Sequence, residues 1–181
     1  MTDRGTVSID FDKFTASLVG LPVSHVWQGY GSAIFLEFGD VSEGRRRRDG
    51  SRGNPKGEWT LMIEWSWRIE GKRLIWCGSW SDKERWPRAL AHLKGSTVSS
   101  LHLLGRLPEI AVGFSNGLHL LSMMTAEGDP QWSLGKKTLE ENIWLSVRAG
   151  RLQLQSGYRF GIAASNQLDG YLEPVRDFVP V

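Results

Sequence analysis

Between residues 58 and 70 the chain reads EWTLMIEWSWRIE, and every second position is large and apolar: Trp59, Leu61, Ile63, Trp65, Trp67 and Ile69. A period of two predicts one long strand with these six residues turned to a core. Met62, Glu64, Ser66 and Arg68 then take the other face. Gly71-Lys72 turns the chain, and residues 73–80 return with Leu74, Trp76 and Trp80 in phase and Cys77 opposite.

The pattern upstream changes period. Phe11, Phe14 and Leu18 fall on one helical face, Asp10 can cap it and Gly20 can end it. Two strands follow, over residues 23–28 and 33–38, joined by Gly29-Tyr30-Gly31. In the second of them Ile34, Leu36 and Phe38 share a face, and Phe35 and Glu37 share the other. Residues 40–57 have no apolar period, which predicts a long, mobile, charged loop projecting from the sheet. A second helix lies within residues 81–94. Ser81 and Glu84 suggest a capping box, Pro87 the first turn, and Trp86, Leu90 and Leu93 the buried stripe. Strands are predicted over 97–103, 109–114 and 118–123. Then come a turn at 126–130, a polar connector at 136–141, a hairpin over 142–148 and 151–155, and a last strand at 158–164. The first nine residues and the tail from 166 carry no regular pattern.

The skeleton of residues 18–38 recurs at 93–114. Leu18 falls on Leu93, Gly20 on Gly95, Val23 on Val98, Ser24 on Ser99 and Val26 on Leu101. After a one-residue slip Gly29 falls on Gly105, Ile34 on Ile110, Leu36 on Val112 and Phe38 on Phe114. Trp86 stands where Phe11 stood. This predicts an internal duplication. The fold expected is α+β, mainly antiparallel β, with two pseudo-repeated halves each opened by a short helix. Residues 10–80 form the first half, 81–164 the second within one compact domain, and 165–181 a C-terminal tail. Where the second copy has the short turn Ser115-Asn116-Gly117, the first inserts the charged loop.

Composition adds three constraints. One cysteine among 181 residues excludes an internal disulfide. No apolar run reaches the length of a membrane span, and the N-terminus lacks the pattern of a secretory signal, so the expected location is cytoplasmic. The net charge of +2 hides an asymmetry. Residues 45–56 hold six basic side chains and one acid, a net +5; the other 169 residues hold 16 basic and 19 acidic, a net −3. An acidic body with one basic loop argues against nucleic acid as the partner, because such domains spread basic charge over a face.

Few residues carry a chemical signature. Gly113-Phe114-Ser115-Asn116-Gly117 spells the nucleophile-elbow pattern, but strand residues follow it where that motif needs a helix. The glycine pair around Tyr30 precedes a strand, which makes it a turn and not a dinucleotide fingerprint. His25, His92, His102 and His119 are isolated in sequence, and no cofactor or metal is expected. Cys77 reads as a small buried hydrophobe. Glu64 and Arg68 share a strand face about 13 Å apart, too far to touch directly. Most of the tryptophans are expected in the core.

The segment from Trp59 to Leu134 resembles a family of small uncharacterised bacterial proteins. The residues that carry the likeness are EWSWRIE at 64–70, LKGSTV at 93–98, the strand end at 114–117 and DPQWSL at 129–134. Relatives of this look stand beside toxin systems as candidate immunity proteins, and none supplies catalytic residues. The resemblance implies binding and not chemistry. The expectation is therefore a non-enzymatic, protein-binding module, immunity-like or regulatory, with an unidentified protein partner met by Arg45, Arg46, Arg47, Arg48 and Arg52. Edge-strand pairing into a homodimer is a second contact. The alternative is a small-ligand binder with a Trp-lined cleft between the halves, using Glu37, Glu64, Arg68 and Trp27.

Overall fold

The computed structural model describes residues 9–125, 131–139, 141–148 and 150–157. The expected turn at 126–130, the strand at 158–164 and the tail lie outside these residues. So do the first eight. What is described is mostly antiparallel β, in two sheets, with few short helices.

Helix α1 (Phe11–Thr15) starts where Asp10 accepts the Lys13 amide at 3.0 Å. Strands β1 (Val23–Gln28), β2 (Ile34–Phe38) and β3 (Trp59–Ile63) then pair as a meander. The chain next leaves this sheet. Strands β4 (Trp67–Glu70) and β5 (Ile75–Gly78) belong to a second sheet, whose remaining strands come later: β6 (Val98–Leu104), β7 (Glu109–Phe114) and β8 (His119–Ser122). Between them, a single 3-10 turn (Lys83–Arg85) leads into α2 (Trp86–Ala91). After β8 the chain crosses back, and β9 (Trp132–Lys137), β10 (Asn142–Arg148) and β11 (Arg151–Gly157) complete the first sheet. The orders are β1-β2-β3-β9-β10-β11 and β5-β4-β8-β7-β6. Each sheet therefore takes strands from both sides of residue 80.

The alternation at 58–70 belongs to two strands, not the single strand expected. Residues 64–66 are the crossover, held by the Ser32 hydroxyl on the Glu64 and Trp65 carbonyls at 3.2 and 2.6 Å. The Glu64 amide donates to the Gln131 carbonyl and the Met123 amide to the Ser66 carbonyl. The period of two survives the crossing because both strands aim odd-numbered residues at one interior. Leu61 and Ile63 enter it from the first sheet, Trp67 and Ile69 from the second. Trp65, in phase with them, sits at the bend and is 52% exposed. Strand β9, expected in part as a polar connector, occupies the centre of the first sheet. Its sequence, WSLGKK, hides it: Gly135 interrupts the pattern because the Trp144 ring lies 2.6 Å from where a Cβ would stand.

One core serves both sheets. Trp59, Trp67 and Trp132 are among its largest buried side chains. Their neighbours come from the helices: Phe14 packs edge-on against Trp59 at 5.4 Å, Phe11 against Trp132 at 6.5 Å, and Trp86 against Trp67 at 5.1 Å. Indole N–H groups find carbonyls, Trp67 on Ser32 at 2.7 Å and Trp132 on Pro108 at 2.8 Å. Cys77 is buried, while Leu74, Trp76 and Trp80 face out. The Ser81–Glu84 capping box does not form. The Ser81 hydroxyl instead accepts the Gly78 amide at 3.0 Å, at the end of β5.

The two sheets are stitched at one corner by reciprocal backbone bonds. Gly20 N–H donates to Val98 C=O and Gly95 N–H to Val23 C=O, both at 2.8 Å. Val23 N–H donates to Ser96 C=O and Val98 N–H to Leu21 C=O. Pro22 and Thr97 form the bridge between them. A bulge then follows at matched places, between Val23 and His25 opposite β2 and between Val98 and Ser100 opposite β7. Gly20 and Gly95 reach this corner at φ +91° and +84°, with nothing within 4 Å of an added Cβ. Only their backbone conformation demands glycine. Gly20→Ala and Gly95→Ala should each cost about 1–2 kcal/mol, and by equal amounts, in urea unfolding; a cost at one position alone would mean that the two glycines are not equivalent.

Candidate functional site

The stretch between β2 and β3 is a hairpin arm, not the structureless loop expected. Ser42 pairs with Lys56 and Arg46 with Arg52. The Arg47 amide donates to Ser51 C=O at 2.8 Å, and the Gly50 amide back to Arg47 C=O at 3.1 Å, closing the tip. Asp49 accepts the Ser51 amide and hydroxyl at 2.9 and 2.6 Å. Those bonds, with the nearby Arg47 charge, hold its carboxyl below the usual carboxylate range. The two sides press close at Gly44, where a Cβ would stand 2.0 Å from the Gly53 oxygen.

Arg45, Arg46, Arg47, Arg48 and Arg52 are all exposed on this arm. Arg52 pairs with Glu43 at 2.7 Å, with both side chains mostly in solvent, a pair worth about 0–1 kcal/mol. Among the described residues the other four arginines make no ion pair. The arm therefore presents an excess of positive charge outward, only partly offset by Glu43 and Asp49.

Its root is built differently. Glu37, on the face of β2 opposite the core residues Ile34, Leu36 and Phe38, is 0% exposed. Four donors converge on it: Trp27 Nε1 at 3.1 Å, Lys56 Nζ at 3.2 Å, the Gly57 amide at 3.0 Å and the Thr60 hydroxyl at 2.6 Å. A buried carboxylate is tolerable only when paired and hydrogen-bonded, and this one is both. Trp27 stacks on Phe35 with rings 3.7 Å apart and 2° from parallel, and Lys56 Nζ lies 4.9 Å from the Trp27 ring. His25 faces Glu37 across the β1–β2 ladder, and its Nε2 is buried without a partner among the described residues.

Of the residues expected to bind a ligand, Glu37 and Trp27 come together here, while Glu64 and Arg68 do not join them. Glu64 sits on the crossover. Arg68 lies on the outward face of the second sheet, paired with Glu70 and with its guanidinium 3.1 Å from Met123 Sδ. The expected Trp-lined cleft between the halves is absent among the described residues, because Trp59, Trp67, Trp86 and Trp132 pack that space. A shallow, open depression of about 730 Å³ lies at the foot of the arm between Asp40, Ser42 and Glu58 and the β9–β10 turn at Lys137 and Leu139. Sequence reasoning missed Lys56, Gly57 and Thr60 as members of the root. The signal for them was Glu37 itself, a charge on the second face of a strand whose neighbour on that face is Phe35.

The remaining motifs are structural. Ser115 accepts the Thr97 amide at 3.0 Å inside the β7–β8 hairpin, and Asn116 accepts the Leu118 amide at 3.1 Å and donates to His92 C=O at 2.8 Å. No helix follows, so the elbow pattern is a hairpin turn. Among the described residues no cluster of three or more His, Cys, Asp or Glu could hold a metal. Nor is any described helix long and apolar enough to cross a membrane.

The fold and site define a two-sheet antiparallel protein with a basic arm rooted on a buried carboxylate. No protein-family model, curated protein or solved structure matches the chain.

Burial pushes the Glu64 carboxyl above its ordinary value of 4.5. The folded chain then binds its proton more tightly than the unfolded chain, so stability falls as pH rises from 4.5 through the raised value. Glu64→Gln should melt above the parent at neutral pH, with the gap closing below pH 4.5. An equal gap at both pH values would assign the gain to something other than the charge.

Proposed function

We propose that this chain is a non-enzymatic binding module whose basic arm docks on an acidic face of a partner protein. The observation that carries the reading is the contrast between a fixed root and a tip whose exposed arginines outnumber its acids. Glu37 ties Lys56 and Gly57 to the sheet through Lys56 Nζ and the Gly57 amide, while Arg45, Arg46, Arg47 and Arg48 have no ion-pair partner among the described residues. A hairpin held at its base loses less conformational freedom on binding than an open loop would. Its charge favours fast encounter with an acidic surface.

The immunity-like or regulatory role, the cytoplasmic setting and the capacity to form a homodimer belong to this same reading. So does the internal duplication, with residues 10–80 and 81–164 as related halves and the echo of residues 18–38 in 93–114 as its mark. The reciprocal bonds at Gly20 and Gly95, the matched bulges and the matched packing of Phe11 and Trp86 on Trp132 and Trp67 support it. The alternative, a small-ligand site at Trp27 and Glu37, is weakened because four donors of the chain already occupy the Glu37 carboxylate.

The test is affinity capture from the native host. Replacing Arg45, Arg46, Arg47, Arg48 and Arg52 by Ser should abolish capture of an acidic protein and leave the melting temperature within a few degrees, since among the five only Arg52 makes an ion pair, exposed and worth about 0–1 kcal/mol. Capture should also weaken with added salt and survive nuclease. Undiminished capture by the variant, or capture lost on nuclease treatment, would overturn the reading.

A further inference from the structure

Two sheets with ends have four edges, and at three of them other parts of the chain bond to or pack against the edge strand. At β1 the Val23 amide and carbonyl are spent on Ser96 and Gly95, and α2 packs beside the strand. At β6 the Val98 amide and carbonyl are spent on Leu21 and Gly20, and α1 lies alongside. At β5 the Trp76 carbonyl accepts the Arg85 guanidinium at 3.2 Å, and Ser81 takes both the amide and the carbonyl of Gly78. Such devices keep an edge from pairing with another chain.

Strand β11 has none of them. It is seven residues long, and its register with β10 runs from Arg151↔Arg148 to Gly157↔Asn142 without a bulge. It contains no proline and no lysine, and among the described residues nothing is hydrogen-bonded to its outer side. Leu152 and Leu154 continue the core rows of Val147 and Leu145, yet Leu154 remains 50% exposed. Gln153 and Gln155 occupy the opposite face.

We infer that β11 pairs antiparallel with β11 of a second copy about a two-fold axis through Leu154, joining the two six-stranded sheets into one. The sequence of the edge is self-complementary in that register. Leu154 meets its own mate on the core face and covers its exposed half. Gln153 meets Gln155 of the other copy twice, amide to amide, on the opposite face. Leu152 meets Ser156, and Arg151 meets Gly157, so the two Arg151 side chains stand at opposite ends, about 20 Å apart. No like charge opposes itself, as an isologous pair requires. This deepens the homodimer part of the proposed reading and is independent of the arm.

The experiment is light scattering of the full chain across a concentration series, with three variants. The parent should reach twice the mass of one chain. Leu154→Lys, which sets two lysines face to face at the axis, should hold it at the mass of one chain with the melting curve retained. Leu154→Cys should cross-link into a covalent dimer under mild oxidation, whereas the parent, with Cys77 buried, should not; this arm stays decisive if the lysine variant fails to fold. The five-arginine variant should keep the dimer, which separates failure of the edge from failure of the arm. A parent that stays at the mass of one chain throughout, whatever covers the edge, overturns the proposal. So does a dimer that Leu154→Lys leaves intact and Leu154→Cys does not cross-link.

Discussion

Four backbone hydrogen bonds at one corner, two in each direction between residues 20–23 and 95–98, hold the two sheets together. Each is worth on the order of 1 kcal/mol by itself. Their consequence is larger, because they fix where β1 and β6 begin and so which residues each strand turns inward. A shift of one residue would move Val23 and Val98 out of the core and bring polar neighbours in. Glycine at 20 and 95 makes the geometry available without strain. From this corner each sheet runs outward through a meander of three strands, and each is completed by strands that arrive across the interior from the other side of the chain.

That exchange makes the core common property. Trp67 arrives in the second sheet from a segment continuous with β3 of the first, and Trp132 makes the opposite journey after β8. Residues 10–80 alone would leave β4 without β8 and β3 without β9, with Trp67, Ile69, Leu61 and Ile63 uncovered. The apolar area lost would far exceed what a fragment of that length can spare. A cooperative whole follows from the crossing itself. The arm stands apart from it: its tip is ordered by local turns and two bridges, its root by the Glu37 carboxylate. Opposite physical regimes meet within twenty residues, a buried charge with four donors and four exposed charges without an ion pair.

Much of the local structure was legible. The bounds of β1, β7 and β10 are those expected at 23–28, 109–114 and 142–148, and both helices follow from Phe11 and Trp86 with glycines behind them. The echo of residues 18–38 in 93–114 pointed to the corner where Gly20 and Gly95 meet. What escaped was whatever depends on partners distant in sequence. The run from Trp59 to Ile69 reads as one strand because alternation cannot report which sheet a residue joins. Trp65 belongs to the right phase and the wrong place. Strand β9 hid behind Gly135 and its two lysines, since the Trp144 ring that explains the glycine lies on another strand. Arg45–Arg48 look structureless by pattern, because a hairpin of charged and small residues has no apolar face to show. Glu37 was recognisable as a charged residue on a strand, but not Lys56, Gly57 and Thr60 as its partners.

The reciprocal corner and the exchanged strands make both sheets one cooperative unit. Native-state amide hydrogen exchange on the full chain tests it most directly. The amides of Gly20, Val23, Gly95 and Val98 should exchange with a common opening free energy, shared by the central strands β3, β4, β8 and β9. Free exchange at one corner segment while the other stays protected, or separate opening free energies for the two sheets, would show that they are not one unit.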